Sequence, residues 1–240
     1  MILHLNNSGF EEDVSIPDRD VNDVHRRLLD RFLRAGTEER TIVVLAGPPA
    51  SGKGVLCALW GRLAEEAGVS YAAVSQDGFH FPNAYLAERG LLGRKGAPDT
   101  FDVRAMTIAM AQLAAGTPVI WPVYDRNIHE PRPDGPCVNG QRLVVVEGNY
   151  LLLDEPHWAS VRRHAHISVR IEVDTNVLRK RLVARHIRGG LSQGQAEAKF
   201  SSSDLNNIVE VNERSIQADV ALLRKGDGSY QLLRGGERTL

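Results

Sequence analysis

One glycine-rich stretch has the residue types and the spacing of a loop that binds phosphate. Residues 47–54 read GPPASGKG, in which Gly47, Gly52 and Lys53 keep the pattern G-x-x-x-x-G-K. Glycines there let successive backbone N–H groups turn towards phosphate oxygens, and the lysine adds a positive charge. An ordinary glycine–proline turn between a strand and a helix is the alternative. The residues predicted to bind the phosphates of a nucleotide are Gly47, Pro48, Pro49, Ala50, Ser51, Gly52, Lys53 and Gly54.

Gly54 occupies the position at which this motif usually has serine or threonine. The hydroxyl group of that residue ordinarily ligates Mg²⁺, and glycine has no hydroxyl group. Because Mg²⁺ tends to retain water ligands, a water molecule can take that position. We therefore expect Mg²⁺ binding to be weakened and not lost. The alternative is a loop that binds a nucleotide without efficient metal-dependent chemistry.

Two carboxylates follow predicted strands. Asp77 comes directly after the sequence YAAVSQ, and Glu147 ends the apolar run VVVE. Catalytic groups of parallel sheets gather at the carboxyl ends of the strands. Asp77 can take the proton of an attacking hydroxyl or hold a metal-bound water, and Glu147 suits a metal-bound water or an ion pair with Lys53. The alternatives are an Asp-Gly turn at Asp77 and a cap of the next turn at Glu147.

Strands and helices alternate along the chain, which predicts an α/β fold with a mostly parallel sheet covered by helices on both faces. The run TIVVLAG, which leads into the loop, is typical of a strand buried on both faces. The predicted strands lie at 41–47, 71–77, 117–125 with an interruption at Pro122, up to 147, 166–174, 218–225 and 230–234. The predicted helices lie at 21–36, 54–68, 102–116 with Asp102 as N-cap, 175–190 begun near Asp174 or Thr175, and 192–216.

Composition and charge restrict the class of protein. The chain has 240 residues, of which 42% are apolar and 25% charged, and its net charge is −1. This balance gives no indication of a nucleic-acid or membrane partner. The cysteines, Cys57 and Cys137, lack metal-ligand spacing, and no signal peptide or span of about 18 apolar residues is evident. We expect a cytoplasmic enzyme with a small-molecule substrate; the oligomeric state stays open, with a homodimer as one option.

Several stretches occur together in an order and spacing that resemble one family. They are DGFH from Asp77, RKGAPDTFD from Arg94, PVYDR from Pro122, VVEGNYLLL from Val145 and RLVARH from Arg181. Over about residues 40–225 the chain resembles the P-loop kinases that comprise uridine kinase, phosphoribulokinase and bacterial pantothenate kinase. It is most similar to the branch called nucleoside/nucleotide kinase or fructose-transport-system kinase.

This resemblance implies a fold, a nucleotide and a metal. The fold would be a P-loop NTPase three-layer sandwich in a single domain, 1–240, with an N-terminal helical extension at 1–40 and a small helical lid at about 178–203. ATP and Mg²⁺ would be used, with Asp77 as the general base. Glu147 matches the acidic residue that the family has near the metal, so Asp77 and Glu147 would hold Mg²⁺ through water.

The resemblance also nominates substrate and lid residues. Those on the acceptor side are Arg94, Lys95, Phe101, Tyr124, Arg126 and His129. Pantothenate kinases have histidine at position 126 and tyrosine at position 129, so this sequence departs from them twice. Arg181, Arg185 and Arg188 share one helix face, as in a kinase lid, with Arg185 in a catalytic role and Arg181 on the nucleotide; a solvated surface is the alternative for Arg188.

Four further residues have weaker signals. Arg214 lies in a segment that resembles the one near the adenine pocket of the family. His80 has either a structural role or a contact with the acceptor. Asn206 and Asn207 either face the substrate or cap a turn.

The predicted function is an ATP-dependent kinase that transfers the γ-phosphate to a hydroxyl of a small polar metabolite. A sugar, a nucleoside and a pantothenate-like compound are the candidate acceptors, and the cations at 94, 95, 126 and 129 favour one with negative charge. The first alternative is a nucleotide-binding pseudokinase or regulatory protein, for which Gly54 is the only support. The second is a hydrolytic NTPase that acts on a macromolecule.

Overall fold

A six-stranded sheet forms the centre of the protein in the computed structural model, which describes residues 1–7 and 10–233. The strands are β1 (Ile2–Asn7), β2 (Phe10–Ser15), β3 (Thr41–Ala46), β4 (Tyr71–Ser75), β5 (Val119–Ile120), β6 (Val123–Asp125), β7 (Glu130–Arg132), β8 (Cys137–Val138), β9 (Leu143–Gly148), β10 (Ile167–Glu172), β11 (Val220–Arg224) and β12 (Tyr230–Leu233). The order in the central sheet is β12-β11-β10-β3-β9-β4, and every neighbouring pair is parallel except β11 with β12. The carboxyl ends of five strands therefore meet at one edge.

Helices cover the sheet and connect its strands. They are α1 (Asp18–Asp20), α2 (Arg26–Ala35), α3 (Lys53–Glu66), α4 (Asn83–Glu88), α5 (Val103–Ala114), α6 (Pro156–Arg162), α7 (Thr175–Arg188), α8 (Gln193–Lys199) and α9 (Leu205–Arg214). Two π-helical segments, Val21–His25 and Phe200–Asp204, join α1 to α2 and α8 to α9. Short 3₁₀ turns lie at Gln76–Phe79, Leu92–Arg94 and Pro98–Thr100.

The strand β3 explains why the fold has three layers. All six of its residues are buried, and successive side chains point to opposite faces of the sheet. Val43 and Leu45 belong to a core that includes apolar residues of α2, α3 and α7, whereas Ile42 and Val44 belong to a second core with residues of α5 and α6. The sheet is thus enclosed on both sides, which confirms the predicted α/β sandwich.

The predicted elements agree with the structure to within a few residues, including the N-caps Asp102 and Asp174, whose side chains accept from Ala105 N and Asn176 N. Pro122 divides the segment 117–125 as expected. However, its halves lie outside the central sheet, because β5 pairs with β8 and β6 pairs with β7 in separate antiparallel ladders. The last predicted strand is β12, and its final residue, Arg234, lies outside the described residues.

The N-terminal extension differs from the prediction. It is helical only over residues 18–35, and the antiparallel ladder of β1 and β2 precedes the helices. Leu3 of β1 is buried in the same core as α3, so this ladder packs on the outside of the helix that follows the phosphate loop. The alternation in the sequence ILHL is the strand signal that was missed.

Cys57 is buried in α3, and burial raises the pKa of its thiol well above the usual range, so this thiol is unreactive. Within residues 1–7 and 10–233, no helix has the length and apolar character needed to cross a membrane.

Candidate active site

The phosphate loop, residues 47–54, connects the end of β3 to the start of α3. Its backbone turns through the left-handed region at Ala50, with φ of 60°, and at Gly52, with φ of 101°. A Cβ atom on Gly47 would lie 2.9 Å from Ser51 Oγ, and one on Gly52 would lie 1.9 Å from Arg224 Nη1. Both glycines of the motif are therefore required by the packing of the loop.

Unpaired donors line the inside of this loop. The N–H groups of Ala50, Gly52, Lys53 and Gly54 have no hydrogen-bond acceptor among the described residues. The Ser51 hydroxyl is fully buried and also has no partner within that part of the chain. Buried donors of this kind are costly unless a ligand pairs with them, and the N-terminus of α3 favours an anion. The loop therefore fits a phosphate group.

Lys53 is buried at the first turn of α3 and reaches across the loop. Its Nζ donates to Gly47 O at 2.9 Å, to Pro48 O at 3.2 Å and to Asn149 Oδ1 at 2.7 Å. Burial lowers the pKa of Lys53, and the negative charges of Glu147 and Asp77 oppose this effect. Lys53 and Glu147 do not form the ion pair considered above; the residue that pairs with the ammonium is Asn149.

Asp77 and Glu147 lie at the carboxyl ends of neighbouring strands. Ser75, the last residue of β4, is in register with Glu147 of β9, and its hydroxyl accepts from Asp77 N at 3.1 Å. Burial raises the pKa of Glu147, the charge of Lys53 opposes this, and the charge of Asp77 adds to it. The two carboxylates are thus close enough to each other and to Lys53 for their charges to interact.

This pair of carboxylates suits a hard cation such as Mg²⁺. Among the described residues no group of three or more His, Cys, Asp or Glu side chains could hold a metal ion. A metal here would therefore take most of its ligands from phosphate oxygens and water, as Mg²⁺ does. Gly54 is exposed at the start of α3 and offers no oxygen from its side chain. The residues present fit Mg²⁺ bound through water to Asp77 and Glu147.

A cavity of about 580 Å³ opens beside Asp77 and is called the first cavity below. Tyr124, Arg126 and Arg132, from the β6–β7 hairpin, contribute to its lining. Arg126 Nη2 donates to Asp77 Oδ2 at 3.2 Å, and both side chains are partly accessible to solvent. This contact links the predicted base to two predicted acceptor residues, Tyr124 and Arg126.

Lys95 contacts the turn of the β6–β7 hairpin, which contains His129. Lys95 Nζ donates to His129 O at 2.6 Å and to Asn83 Oδ1 at 2.5 Å, so it fixes the hairpin to the loop of α4. His80 Nδ1 lies 2.8 Å from Asp77 O, and its ring packs against Phe101 and Tyr124. Burial lowers the pKa of His80. His80 thus supports the position of Asp77, in agreement with the structural alternative.

A second cavity, of about 850 Å³, lies beside α5 and α9. Its lining includes Arg94, Phe101, Trp158, Asn206, Asn207 and Arg214. Of the predicted acceptor residues, Tyr124 and Arg126 thus line the first cavity, Arg94 and Phe101 line the second, and Lys95 and His129 line neither. Arg214 shares this second cavity with Arg94 and Phe101, and it pairs with Glu155 at 2.8 Å and with Glu210. These two ion pairs do not test the predicted role of Arg214 at adenine, which stays a prediction.

The arginines of α7 reach the site to different extents. Arg181 Nη1 donates to Ala50 O of the phosphate loop at 3.3 Å. Arg185 is one turn further on; desolvation and the charge of Arg126 lower its pKa, and Asp204 and Asp77 oppose this. Arg188 is exposed at the last residue of the helix. Arg181 therefore contacts the phosphate loop, whereas the roles of Arg185 and Arg188 stay predictions.

Sequence reasoning missed two residues that contact the loop, Asn149 and Arg224. Asn149 follows β9, and Arg224 ends β11, where its Nη1 donates to Ser51 O at 3.3 Å. Both lie at carboxyl ends of central strands. The rule that selected Asp77 and Glu147 would have found them too, had it been applied to polar groups without a negative charge.

Comparisons with known proteins were made on the full chain. No protein-family model matches it. It is 34% identical to the uncharacterised protein YggC of Escherichia coli over 96% of this chain and 98% of that protein. It is 30% identical to a pantothenate kinase of Sodalis glossinidius over 82% of this chain and 70% of that protein. Among solved structures, a putative fructose transport system kinase from Silicibacter has a TM-score of 0.78 and 33% identity, covering 82% of this chain and 97% of that one.

The fold and the phosphate loop define a P-loop protein with a mostly parallel central sheet flanked by helices. Together with these relatives they show that the chain belongs to the family of P-loop small-molecule kinases that includes pantothenate kinase and uridine kinase-like proteins. The predicted resemblance and the predicted class of phosphotransferase are confirmed.

Proposed function

We propose that the protein is an ATP-dependent kinase that transfers the γ-phosphate to a hydroxyl group of a small polar metabolite. The observation that carries this proposal is the meeting of Lys53, Asp77 and Glu147 at the carboxyl edge of the sheet, with Asp77 in contact with Arg126, which lines the first cavity. A phosphate loop on one side and a polar cavity on the other give a nucleotide and an acceptor access to the same carboxylate.

Positioning and charge stabilisation would contribute most of the rate enhancement. The free N–H groups of the phosphate loop bind the β- and γ-phosphates. The ammonium of Lys53 exchanges the carbonyl oxygens of Gly47 and Pro48 for phosphate oxygens. Arg181 and Arg185 belong to the lid proposed at about 178–203, and Arg185 brings positive charge to the transferred group.

Asp77 would act on the acceptor. Its carboxylate takes the proton of the attacking hydroxyl, while Arg126 holds that carboxylate in place and contributes positive charge to the acceptor side. Mg²⁺ bound with ATP supplies charge neutralisation at the phosphates, and Asp77 and Glu147 would hold it through water.

The first cavity favours a polar acceptor with several hydroxyl groups. Tyr124, Asp125, Asn127 and Asp134 present hydrogen-bonding groups there, and Arg126 and Arg132 add positive charge. Relatives named pantothenate kinase and putative uridine kinase support the range of sugars, nucleosides and pantothenate-like compounds. The arginines favour an acceptor that carries a negative charge.

The test is a screen for ADP formation with ATP, Mg²⁺ and a panel of sugars, nucleosides and vitamin precursors. With the acceptor so identified, Asp77→Asn is expected to lower kcat by about 10²- to 10⁴-fold because the base is lost. Nucleotide binding should persist. Asp219→Asn is the matched control, because Asp219 accepts from Ser168 at the opposite edge of the sheet and should leave kcat unchanged.

Three results would contradict the proposal. Near-normal transfer by Asp77→Asn would show that Asp77 is not the base. ATP binding that is tight, indifferent to Mg²⁺ and without turnover on the whole panel would favour the regulatory alternative. Release of phosphate without any acceptor would favour a hydrolytic NTPase.

A further inference from the structure

We propose that Arg224, together with Arg181, binds the α-phosphate of the nucleotide at the outer side of the phosphate loop. This inference rests on the proposed use of ATP and adds a nucleotide-binding residue from β11, a strand to which the sequence assigned no functional role.

The strand β11 directs Arg224 towards the loop. Residues at alternate positions point to the same face of a sheet, so Arg224 shares a face with Val220 and Leu222. Those two residues belong to the core that also includes the buried face of α3. Because β11 runs parallel to β10 and β10 to β3, Arg224 ends at the edge where the phosphate loop begins. Its side chain thus lies on the α3 side of the sheet at the level of the loop.

The guanidinium group is in direct contact with the loop backbone. Arg224 Nη1 donates to Ser51 O at 3.3 Å, and it would lie 1.9 Å from a Cβ atom at Gly52. The residue is only 9% exposed, and its Nε has no partner among the described residues. A nine-tenths buried donor beside a loop of free N–H groups is an incomplete binding site.

The positive charges of Arg224 and its neighbour Arg181 also favour a bound anion. Arg181 is close by, since the positive charge of Arg224 contributes to lowering the pKa of Arg181. Within the described chain neither arginine has a carboxylate at ion-pair distance, whereas Arg126, Arg179 and Arg214 are all paired. A buried guanidinium group next to a second, half-buried one is costly without a negative partner. A phosphate group has the required charge and geometry.

The sheet order identifies which phosphate this is. Asp77 follows β4, two strands from β3 on one side, and Arg224 ends β11, two strands from β3 on the other. Four strand spacings of about 4.8 Å separate these edges. The γ-phosphate must approach Asp77, so the nucleotide extends from the loop towards β11. Arg224 and Arg181 therefore face the α-phosphate end, whereas Lys53 and Arg185 face the transferred group.

The guanidinium group of Arg224 also lies near an aromatic ring. The guanidinium of Arg224 lies 5.6 Å from the ring centroid of Tyr230, whose backbone N–H donates to the buried carboxylate of Asp20 at 2.7 Å. Tyr230 is thereby fixed to the N-terminal helical segment. Because the support is rigid, Arg224 is positioned before any nucleotide binds.

The experiment measures equilibrium binding of ADP, AMP and adenosine to the purified protein without an acceptor. Arg224→Gln is expected to weaken ADP and AMP binding by about 10- to 100-fold, the range for a charge-assisted hydrogen bond, and to leave adenosine binding unchanged. Arg224→Lys should recover part of this loss because it keeps the charge, and it serves if Arg224→Gln does not fold. Arg40→Gln is the matched control, since Arg40 is a buried arginine that donates to Leu113 O at the opposite edge.

The outcomes separate this inference from the proposed function. If the wild type binds ADP and Arg224→Gln binds it equally tightly, the role of Arg224 is overturned. The kinase proposal then still stands. Equal losses for ADP and adenosine would mean that Arg224 only braces the loop, which also overturns it. Failure of the wild type to bind any of the three compounds overturns both proposals. Selective loss of ADP and AMP, with Arg40→Gln unchanged in affinity, supports Arg224 as a phosphate ligand.

Discussion

Substitution of Gly78 by alanine tests whether the position of Asp77 controls catalysis. Gly78 directly follows Asp77, and a Cβ atom there would lie 1.9 Å from Pro122 O and 2.9 Å from Val123 N. Both are backbone atoms, so no side chain can rotate away to make room. Contacts shorter than 3.0 Å do not occur for real Cβ atoms, and the two segments must therefore separate by about 1 Å.

This separation would displace both the proposed base and the residues proposed to bind the acceptor. Val123 begins β6, which leads to Tyr124 and Arg126, while Gly78 belongs to the turn that holds Asp77. The expected result is a loss of about 10²-fold in kcat/KM, the effect of a misplacement of this size. The strain should also lower the free energy of unfolding by about 1–3 kcal/mol.

The assay pairs steady-state transfer to the identified acceptor with urea unfolding. Gly36→Ala is the matched control, because its Cβ atom would lie 2.2 Å from Thr41 Oγ1 and 2.6 Å from Arg40 O at the amino end of β3. We expect a similar loss of stability for Gly36→Ala with unchanged kcat. Wild-type activity in Gly78→Ala, or equal losses of activity in both variants, would refute the reasoning.

Two further predictions concern Gly54 and His25. Gly54→Ser should tighten binding of Mg²⁺·ATP relative to ATP alone, measured by calorimetry with and without Mg²⁺; no change would mean that the metal is held in another way. His25 is fully buried, and burial lowers its pKa to about 4 from 6.5. The unfolded chain therefore binds more protons between these values, so the free energy of unfolding should fall by at most about 3 kcal/mol as the pH drops from 6.5 to 4. Urea titrations of wild type and His25→Gln at pH 7 and 4.5 check this, and the same pH dependence in both would contradict it.

The local parts of the site could be predicted because their signals are local. Each of these signals can be read from a short segment of the sequence. They are a glycine that avoids a clash, an apolar run before the loop and a carboxylate at the end of a strand. The structure accordingly has β3, the phosphate loop and α3 at the expected residues, with Lys53, Asp77 and Glu147 at one edge of the sheet. The roles of these residues remain predictions.

The parts that the sequence could not place depend on distant segments. Arg214 is 160 residues from the phosphate loop by sequence, and only the path of α9 puts it in the second cavity beside Arg94. The pairing of Arg126 with Asp77 depends on the β6–β7 hairpin, which lies outside the central sheet. Sequence spacing contains no information about such distances.

By itself, the sequence determined the order of the strands and helices of the central sheet, the phosphate loop and the family, since each follows from periodicity, glycine positions or motif order. Only the tertiary structure decided that Asn149 pairs with Lys53, that Tyr124 and Arg126 line one cavity and Arg94 and Phe101 another, and that Arg224 lies on the loop. The physical reason is the crossover topology, since strands far apart in the chain become neighbours in a parallel sheet. Their carboxyl ends then bring together side chains whose interactions depend on a few ångströms.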